Sequence, residues 1–177
     1  MRKLRMDELG RKKKEEFHEA EKRPVILVLD NIRSMHNVGS LFRTADAFLA
    51  EGIYLCGYTP KPPHRDIHKT ALGATETVQW KYFNTAVLAV ETLKKAGYRI
   101  VGVEQAEGSI PLQAFNPPPT EKLALVFGNE VEGVSDPVLA FCDQCVEIPQ
   151  FGTKHSLNVS VAGGIVLWQI WKTNVEM

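Results

Sequence analysis

The sequence lacks the features that would place it in a membrane or in an oxidising compartment. No apolar run approaches the roughly eighteen residues that a membrane-spanning helix needs, and the charged N-terminus has no apolar signal core. Cysteine is scarce, and its count of three is odd, which favours reduced thiols over a disulfide framework. These absences predict a cytoplasmic protein that does not span a membrane.

The sequence also lacks an excess of charge of either sign. The formal net charge is zero, so any nucleic-acid partner has to be held by a local basic patch. Residues 1–23 carry nine Lys/Arg against six Asp/Glu, which is typical either of a solvated helix face or of an RNA contact. We therefore expect a basic, helical N-terminal extension over 1–23, followed by one domain over 24–177.

Short apolar runs alternate with helical patterns along the chain. Strand-like runs occupy 25–29, 53–56, 78–83, 99–103, 123–127 and 145–148, and helical patterns occupy 37–49, 85–96, 136–141 and 156–171. The proline-rich segment 59–77 has no clear periodicity, which predicts a long, partly irregular loop. Alternation of this kind predicts an α/β fold with a mostly parallel sheet flanked by helices.

Polar residues and glycines follow three of the apolar runs, where an open α/β sheet binds its ligands. The three segments are 30–43 (DNIRSMHNVGSLFR), 128–133 (GNEVEG) and 148–158 (IPQFGTKHSLN). The dinucleotide fingerprint GxGxxG, the phosphate loop GxxxxGK[ST] and the nucleophile elbow GxSxG are all absent. These absences argue against a dehydrogenase, a P-loop enzyme and a serine hydrolase.

The same three segments, in this order, resemble the three motifs of the SpoU (TrmH-like) family in the SPOUT superfamily. They occur here as NIRSMHNVGSLFRTADAF, LALVFGNEVEGVS and IPQFGTKHSLNVSVAGGI, and the intervening HKTALGA at 68–74 is also similar to the family's loop. The resemblance covers roughly residues 24–172. It implies an S-adenosylmethionine-dependent RNA 2′-O-ribose methyltransferase that acts as a homodimer. It also implies a deep trefoil knot near the C-terminus, which periodicity alone does not predict.

The resemblance further implies which residues form the site. Gly128, Ile148 and Leu157 match positions that hold the cofactor, where a glycine admits a ligand to the main chain and apolar side chains pack on adenine. Asn37 and Arg43 match active-site positions of the first motif. Without the motifs, the glycine would be an ordinary turn residue and the arginine a surface salt-bridge partner.

Three more implied site residues have equally plain structural alternatives. Glu130 matches a glutamate near the cofactor and the dimer contact, but it could simply cap a turn. Ser156 and Asn158 match the SxN pair of the third motif, although such a pair at a helix start is also typical of an N-cap. We interpret Glu130, Ser156 and Asn158 as members of the catalytic set, and His155, which lies between Lys154 and Ser156, as a bystander.

Arg43 is expected to anchor a phosphate beside the target ribose, because its planar guanidinium can form bidentate bonds. A charged guanidinium has no lone pair, so we do not expect it to accept the hydroxyl proton. That proton is expected to leave through a phosphate oxygen or a water molecule. Basic and histidine side chains of the long loop are further possible phosphate contacts, although a solvated loop explains them nearly as well: Lys61, Arg65, His68 and Lys69.

No metal is expected. Cys142 and Cys145 form a CxxC, and His64 and His68 an HxxxH, but their order and spacing fit no common zinc site.

Two other functions remain open: a knotted methyltransferase with another RNA target, and an RNA-binding module without turnover. Transfer RNA is preferred over ribosomal RNA as the substrate, because the chain is short and carries a basic tail. Trp168 and Trp171 are plausible dimer-interface aromatics.

Overall fold

A parallel seven-stranded sheet forms the centre of the structure, which is a computed structural model that describes residues 1–172. The strand order is β3-β2-β1-β6-β4-β7-β5, and every neighbouring pair runs parallel. The strands are β1 Arg23–Asp30, β2 Ala50–Cys56, β3 Gln79–Phe83, β4 Arg99–Val103, β5 Ile110–Pro111, β6 Leu123–Phe127 and β7 Gln144–Glu147. The predicted mostly parallel α/β sheet is therefore confirmed.

Helices cover both faces of this sheet. They are α1 Lys14–Glu19, α2 Met35–Ala47, α3 Arg65–Ala71, α4 Ala86–Lys95, α5 Asp136–Leu139 and α6 Val159–Lys172. Alternate side chains of β1 enter two separate cores: Leu27 packs with α2 and α6, and Val28 packs with α4 and α5. Burial on both faces explains why β1 and β6 are continuous apolar runs in the sequence.

The prediction of a long irregular loop over 59–77 was wrong in its centre, where α3 forms. Its backbone lies directly against α2, because an ideal Cβ on Gly39 would come within 2.3 Å of the Ile67 carbonyl oxygen. His64 caps the helix, since its Nδ1 accepts a hydrogen bond from Asp66 N at 3.2 Å. The sequence also gave no sign of the short strand β5 or of the 3-10 turn Leu112–Ala114.

Two helix starts differ from their predicted positions. Helix α2 begins at Met35, two residues early, because the Ser34 hydroxyl accepts a hydrogen bond from Asn37 N at 3.2 Å. Helix α6 begins only at Val159, because Asn158 accepts hydrogen bonds from both Ser160 N and Ser160 Oγ. Residues 148–158 are therefore free to form one extended loop at the carboxyl ends of the strands.

The N-terminal segment contains a 3-10 turn, Met6–Leu9, and helix α1. Phe17 of α1 is 5% exposed and belongs to the same core as β1, α2 and α6. Lys14 also forms an ion pair with Glu76. Within residues 1–172, no helix is long and apolar enough to cross a membrane.

Candidate active site

An open cavity of about 510 Å³ lies beyond the carboxyl ends of β4, β6 and β7. Its lining comes from residues 103–105, 127–133, 146–148, 150, 155–159 and 162. This is the edge at which an open parallel sheet usually binds ligands, and the volume suits a small organic molecule. The cavity thus brings the second and third motif segments together, although they are distant in sequence.

The GNEVEG segment forms a tight hairpin at the cavity wall. Asn129 and Gly133 exchange two backbone hydrogen bonds of 2.9 Å. A Cβ on Gly128 would lie 2.0 Å from Gly133 C and Val134 N, so only glycine fits where the hairpin folds back. Gly128 therefore lets the hairpin pack directly on the end of β6, where Gly128 also lines the cavity.

Asn129, which the sequence analysis did not single out, anchors this hairpin. Its side chain is 6% exposed and donates to Asn31 O at 2.8 Å and to the Tyr58 hydroxyl at 2.7 Å. Its Oδ1 accepts from Val131 N at 2.8 Å and from Glu132 N at 3.2 Å. One buried amide thus fixes the hairpin against the loops that follow β1 and β2.

Glu130 binds the N-terminal end of α2 and the two residues before it. Its carboxylate accepts hydrogen bonds from Arg33 N at 3.0 Å, Ser34 N at 3.2 Å and Asn37 Nδ2 at 2.9 Å. Partial burial raises the pKa of Glu130, but these hydrogen bonds outweigh it and the pKa lies below its ordinary value. Glu130 is therefore an ionised hydrogen-bond acceptor whose two oxygens are already engaged.

A chain of side-chain hydrogen bonds joins all three motifs. Asn37 donates to Glu130, and its Oδ1 accepts from Asn158 Nδ2 at 3.1 Å. Asn37 is only 9% exposed, so this amide is fixed in place at the first turn of α2. The structure thus brings together Asn37, Glu130 and Asn158, three of the five residues expected in the catalytic set.

The other two expected catalytic residues are not in this network. Arg43 lies on the exposed side of α2, six residues or about 9 Å of helix axis beyond Asn37. Its guanidinium makes no hydrogen bond or ion pair with any residue between 1 and 172. Ser156 lines the cavity, is exposed and likewise lacks a hydrogen bond within that range. Arg43 and Ser156 thus have donors available for other molecules.

Ile148 and Leu157 both line the cavity, together with Gly128. Ile148 packs against the core below the sheet edge, whereas Leu157 is 38% exposed. The three residues expected to hold the cofactor therefore share one cavity.

Two further cavity residues were missed by the sequence analysis. Glu104 accepts from Val134 N at 2.9 Å, and Gln105 donates to the His155 carbonyl at 2.8 Å. Both follow β4 directly, and an open α/β sheet binds its ligands beyond the carboxyl ends of its strands. Their signal was weak because neither belongs to a glycine-rich segment.

The two cysteines of the CxxC are structural. Burial raises the pKa of Cys142 to about 12, which leaves its thiol protonated and poorly reactive. Both sulfur atoms face Gly102 of β4, where an ideal Cβ would lie 3.0 Å from Cys145 Sγ and 3.2 Å from Cys142 Sγ. No cluster of three or more His, Cys, Asp or Glu side chains suited to a metal occurs in residues 1–172.

Comparisons with known proteins identify relatives that match most of the chain. The chain is 35% identical over 144 residues to the 23S rRNA (guanosine-2'-O-)-methyltransferase RlmB of Neisseria meningitidis serogroup B. That match covers 81% of this chain and 56% of the relative, so the chain spans little more than half of the curated protein's length.

Two solved structures share the fold over most of the chain. The A. aeolicus TrmH/SpoU tRNA modifying enzyme has a TM-score of 0.79 and 28% identity, covering 90% of this chain and 79% of its own. The AdoMet-bound rRNA methyltransferase from Sinorhizobium meliloti has a TM-score of 0.81 and 26% identity, covering 90% and 61%. A model of the SpoU rRNA Methylase family matches residues 24–168, and the chain therefore belongs to that family.

Proposed function

We propose that this protein transfers a methyl group from S-adenosylmethionine to a ribose 2′-hydroxyl of RNA. One observation carries the proposal: Glu130 and Asn158 of the Asn37–Glu130–Asn158 network also line the cavity at the carboxyl edge of the sheet. The curated relative RlmB is named as a 23S rRNA guanosine-2′-O-methyltransferase, and the matching family model is that of the SpoU rRNA methylases. An RNA-binding module without turnover would not need this arrangement.

The cavity suits S-adenosylmethionine as its occupant. Gly128, Ile148 and Leu157 line the cavity, and the two apolar side chains offer surfaces to an adenine ring. When bound, the cofactor supplies an activated sulfonium methyl group, which leaves positioning and electrostatics to the protein. A neighbour of known structure, the enzyme from Sinorhizobium meliloti, was solved with AdoMet bound.

The site residues divide between positioning the loops and contacting RNA. Glu130, Asn37 and Asn158 lock the three motif segments together, so orientation, which can supply about 7–11 kcal/mol of barrier reduction, is built in. Ser156 donates to the ribose or to the cofactor, because its hydroxyl faces the cavity without a partner in the described chain. Arg43 binds the phosphate beside the target ribose through its free guanidinium.

The hydroxyl proton leaves to a phosphate oxygen or to water. Arg43 is unsuitable as the acceptor because guanidinium has no free lone pair. Glu130 is also unsuitable, since its lowered pKa makes it a weak base and three donors already occupy its oxygens. The residues therefore stabilise the developing alkoxide without taking its proton.

Ribosomal RNA is the substrate we propose. The sequence-based preference for transfer RNA gains no support from the curated relatives, because those whose names specify a nucleotide are named for 23S rRNA guanosine. Mass spectrometry of ribosomal and transfer RNA from cells with and without the protein decides the matter. Loss of a 2′-O-methyl mark from transfer RNA alone would overturn this assignment.

The enzyme proposal is tested by cofactor binding and by turnover. S-adenosylmethionine at a hundred times its Kd should stabilise the native protein by about 2.7 kcal/mol, and the purified protein should methylate RNA. Arg43→Ala should lose about a hundredfold or more in turnover at normal cofactor affinity, and Arg43→Lys should restore only part of it. Lys95→Ala, on the opposite face of the sheet, is the control. Absence of thermal stabilisation would favour the binding module instead.

We propose a homodimer that associates through α6. Val161, Ile165 and Trp168 are 50%, 37% and 58% exposed and recur at four- and three-residue spacing on one helix face. Trp171, by contrast, is partly buried beside the Arg23 guanidinium. Ile165→Asp should yield monomers in analytical ultracentrifugation, whereas Leu88→Asp on α4 should not. Equal behaviour of both variants would refute this interface.

We also propose that the chain is knotted as in its family. After β7, which is separated from β1 by β6 and β4, the chain returns to α6 against α2. On the path that we propose, loop 148–158 crosses the segment that follows β4. The Gln105–His155 hydrogen bond joins the two segments. Stretched from its ends, a knotted chain should stop short of the roughly 600 Å available to 177 extended residues. Full extension would disprove the knot.

The basic N-terminal extension over 1–23 and the domain over 24–177 remain our proposed division of the chain, with the extension as an RNA contact. Removing residues 1–13 keeps Phe17 in the core and should lower the logarithmic salt slope of RNA binding by about 0.7–0.9 per lost phosphate contact. An unchanged slope would exclude the extension as an RNA contact.

We also propose a cytoplasmic location, which three unpaired cysteines support.

A further inference from the structure

Two exposed tyrosines lie beside the candidate active site, outside the network described above. Tyr58 follows β2 and is 54% exposed, and Tyr82 in β3 is 38% exposed. Their positions are linked, because the Tyr82 hydroxyl donates to the Gly57 carbonyl at 3.0 Å, next to Tyr58. Rings this exposed contribute little to the core, so their placement calls for another explanation.

Both rings are held rigidly. The Tyr58 hydroxyl accepts from Asn129 Nδ2 at 2.7 Å, and Tyr58 N donates to Asn31 Oδ1 at 3.2 Å. Gly57 has a φ of +62°, and a Cβ there would lie 2.0 Å from Asn31 Oδ1, so this turn admits only glycine. A fixed ring loses little conformational entropy when a ligand stacks on it.

Each ring also has a cation over its face. The Arg33 guanidinium lies 5.9 Å from the centre of the Tyr58 ring, and Lys61 Nζ lies 3.9 Å from the centre of the Tyr82 ring. Arg33 and Lys61 are exposed, and neither makes an ion pair within residues 1–172. An exposed cation–π contact is weaker than stacking of a base on the same ring, so a base can displace the cation.

We propose that Tyr58 and Tyr82 form a stacking platform for unpaired bases next to the target nucleotide, with Arg33 and Lys61 binding the flanking phosphates. This inference rests on the proposed function, since it assumes RNA as the ligand. Bases in a duplex hide their faces in the helix, whereas bases in loops and bulges expose them. The platform therefore selects a target ribose in a single-stranded segment, and Asn129 links it directly to the GNEVEG hairpin.

Binding of a fluorescently labelled single-stranded RNA, with and without its complementary strand, tests the platform in the absence of methyl donor. Tyr58→Ala and Tyr82→Ala should each weaken single-strand binding about 5- to 140-fold, which corresponds to 1–3 kcal/mol per stacked base. Tyr58→Phe keeps the stacking face but loses the hydrogen bond to Asn129, so it should weaken binding much less than Tyr58→Ala. Leu88→Ala, an equally exposed change on α4, is the control.

The cations are tested separately through salt dependence. Arg33→Gln and Lys61→Gln should each lower the logarithmic salt slope by about 0.7, the value for a single-strand phosphate contact, whereas Lys95→Gln should not. Undiminished binding by both alanine variants would overturn the platform, as would equal losses in Tyr58→Phe and Tyr58→Ala or equal affinity for the duplex. If the wild-type protein binds single strands through these tyrosines but never transfers a methyl group, the platform stands and the proposed function fails.

Discussion

Replacing Glu130 by glutamine should loosen the junction between the GNEVEG hairpin and α2. The carboxylate accepts from two backbone amides and from Asn37 Nδ2. Glutamine has only one acceptor oxygen, so at least one bond is lost and an amide NH₂ faces another donor. A hydrogen bond to a charged group contributes about 1.5–3 kcal/mol, and water can reach this exposed residue, so the expected loss of stability is about 1–2 kcal/mol.

Turnover should suffer more than stability. Asn37 contacts both Glu130 and Asn158, so a shift of its amide misaligns all three motifs at once. Displacements near 1 Å can cost about a hundredfold in rate, and we expect a ten- to hundredfold fall in single-turnover methyl transfer. The Kd for S-adenosylmethionine should change little, because Glu130 is expected to position loops and not to bind the donor.

Urea denaturation and single-turnover kinetics on the same preparations measure both effects. Glu107→Gln, a solvent-exposed carboxylate without a hydrogen-bond or ion-pair partner in residues 1–172, is the matched control. It should stay within about 0.5 kcal/mol of wild type, as surface substitutions do. If Glu130→Gln also stays within that range and keeps its turnover, the carboxylate does not hold the site together.

Three other outcomes follow from the structure. Gly128→Ala should destabilise the protein by about 3 kcal/mol or prevent folding, whereas Gly152→Ala, with open space at its Cβ, should be neutral in urea denaturation. Arg23→Met should raise the free energy of unfolding by about 1–3 kcal/mol, because Arg23 is 8% exposed and its Nε and Nη2 lack partners. A lower free energy of unfolding would show that these nitrogen atoms find a partner in solution. The carboxyl pKa of Glu130 is lower in the folded state, so its stabilisation is complete above the unfolded value of 4.5 and is lost as the pH falls below it. Unfolding at pH 7 and pH 4 should therefore show a smaller pH effect in Glu130→Gln than in wild type.

Local patterns predicted most of the sheet and helices because their burial is regular. The strands β1 and β6 are covered on both faces and appear as unbroken apolar runs. Helix α3 lacked such a signal, since it buries only Ile67 and Ala71 and follows a run of prolines. Its formation depends on contact with Gly39 of α2, a tertiary effect that periodicity cannot report.

The motifs predicted which residues form the site, but not the hydrogen bonds that join those residues. The motifs identified Asn37, Glu130 and Asn158, but Glu130 reaches Arg33 across 97 positions, and no local rule pairs them. Asn129 went unnoticed because a lone asparagine after a strand is a common turn residue. Its importance is evident only from its four hydrogen bonds in the folded chain.

The seating of Phe17 in the main core divides the first twenty-two residues into two physically different parts. A cut before Lys14 removes charge and leaves the interior filled, whereas a cut before Arg23 also opens a hole the size of an aromatic ring. Shortened versions of the protein that begin at the first strand should therefore be less stable for a reason unrelated to RNA. Weak RNA binding by such a version would say nothing about the basic residues it has lost.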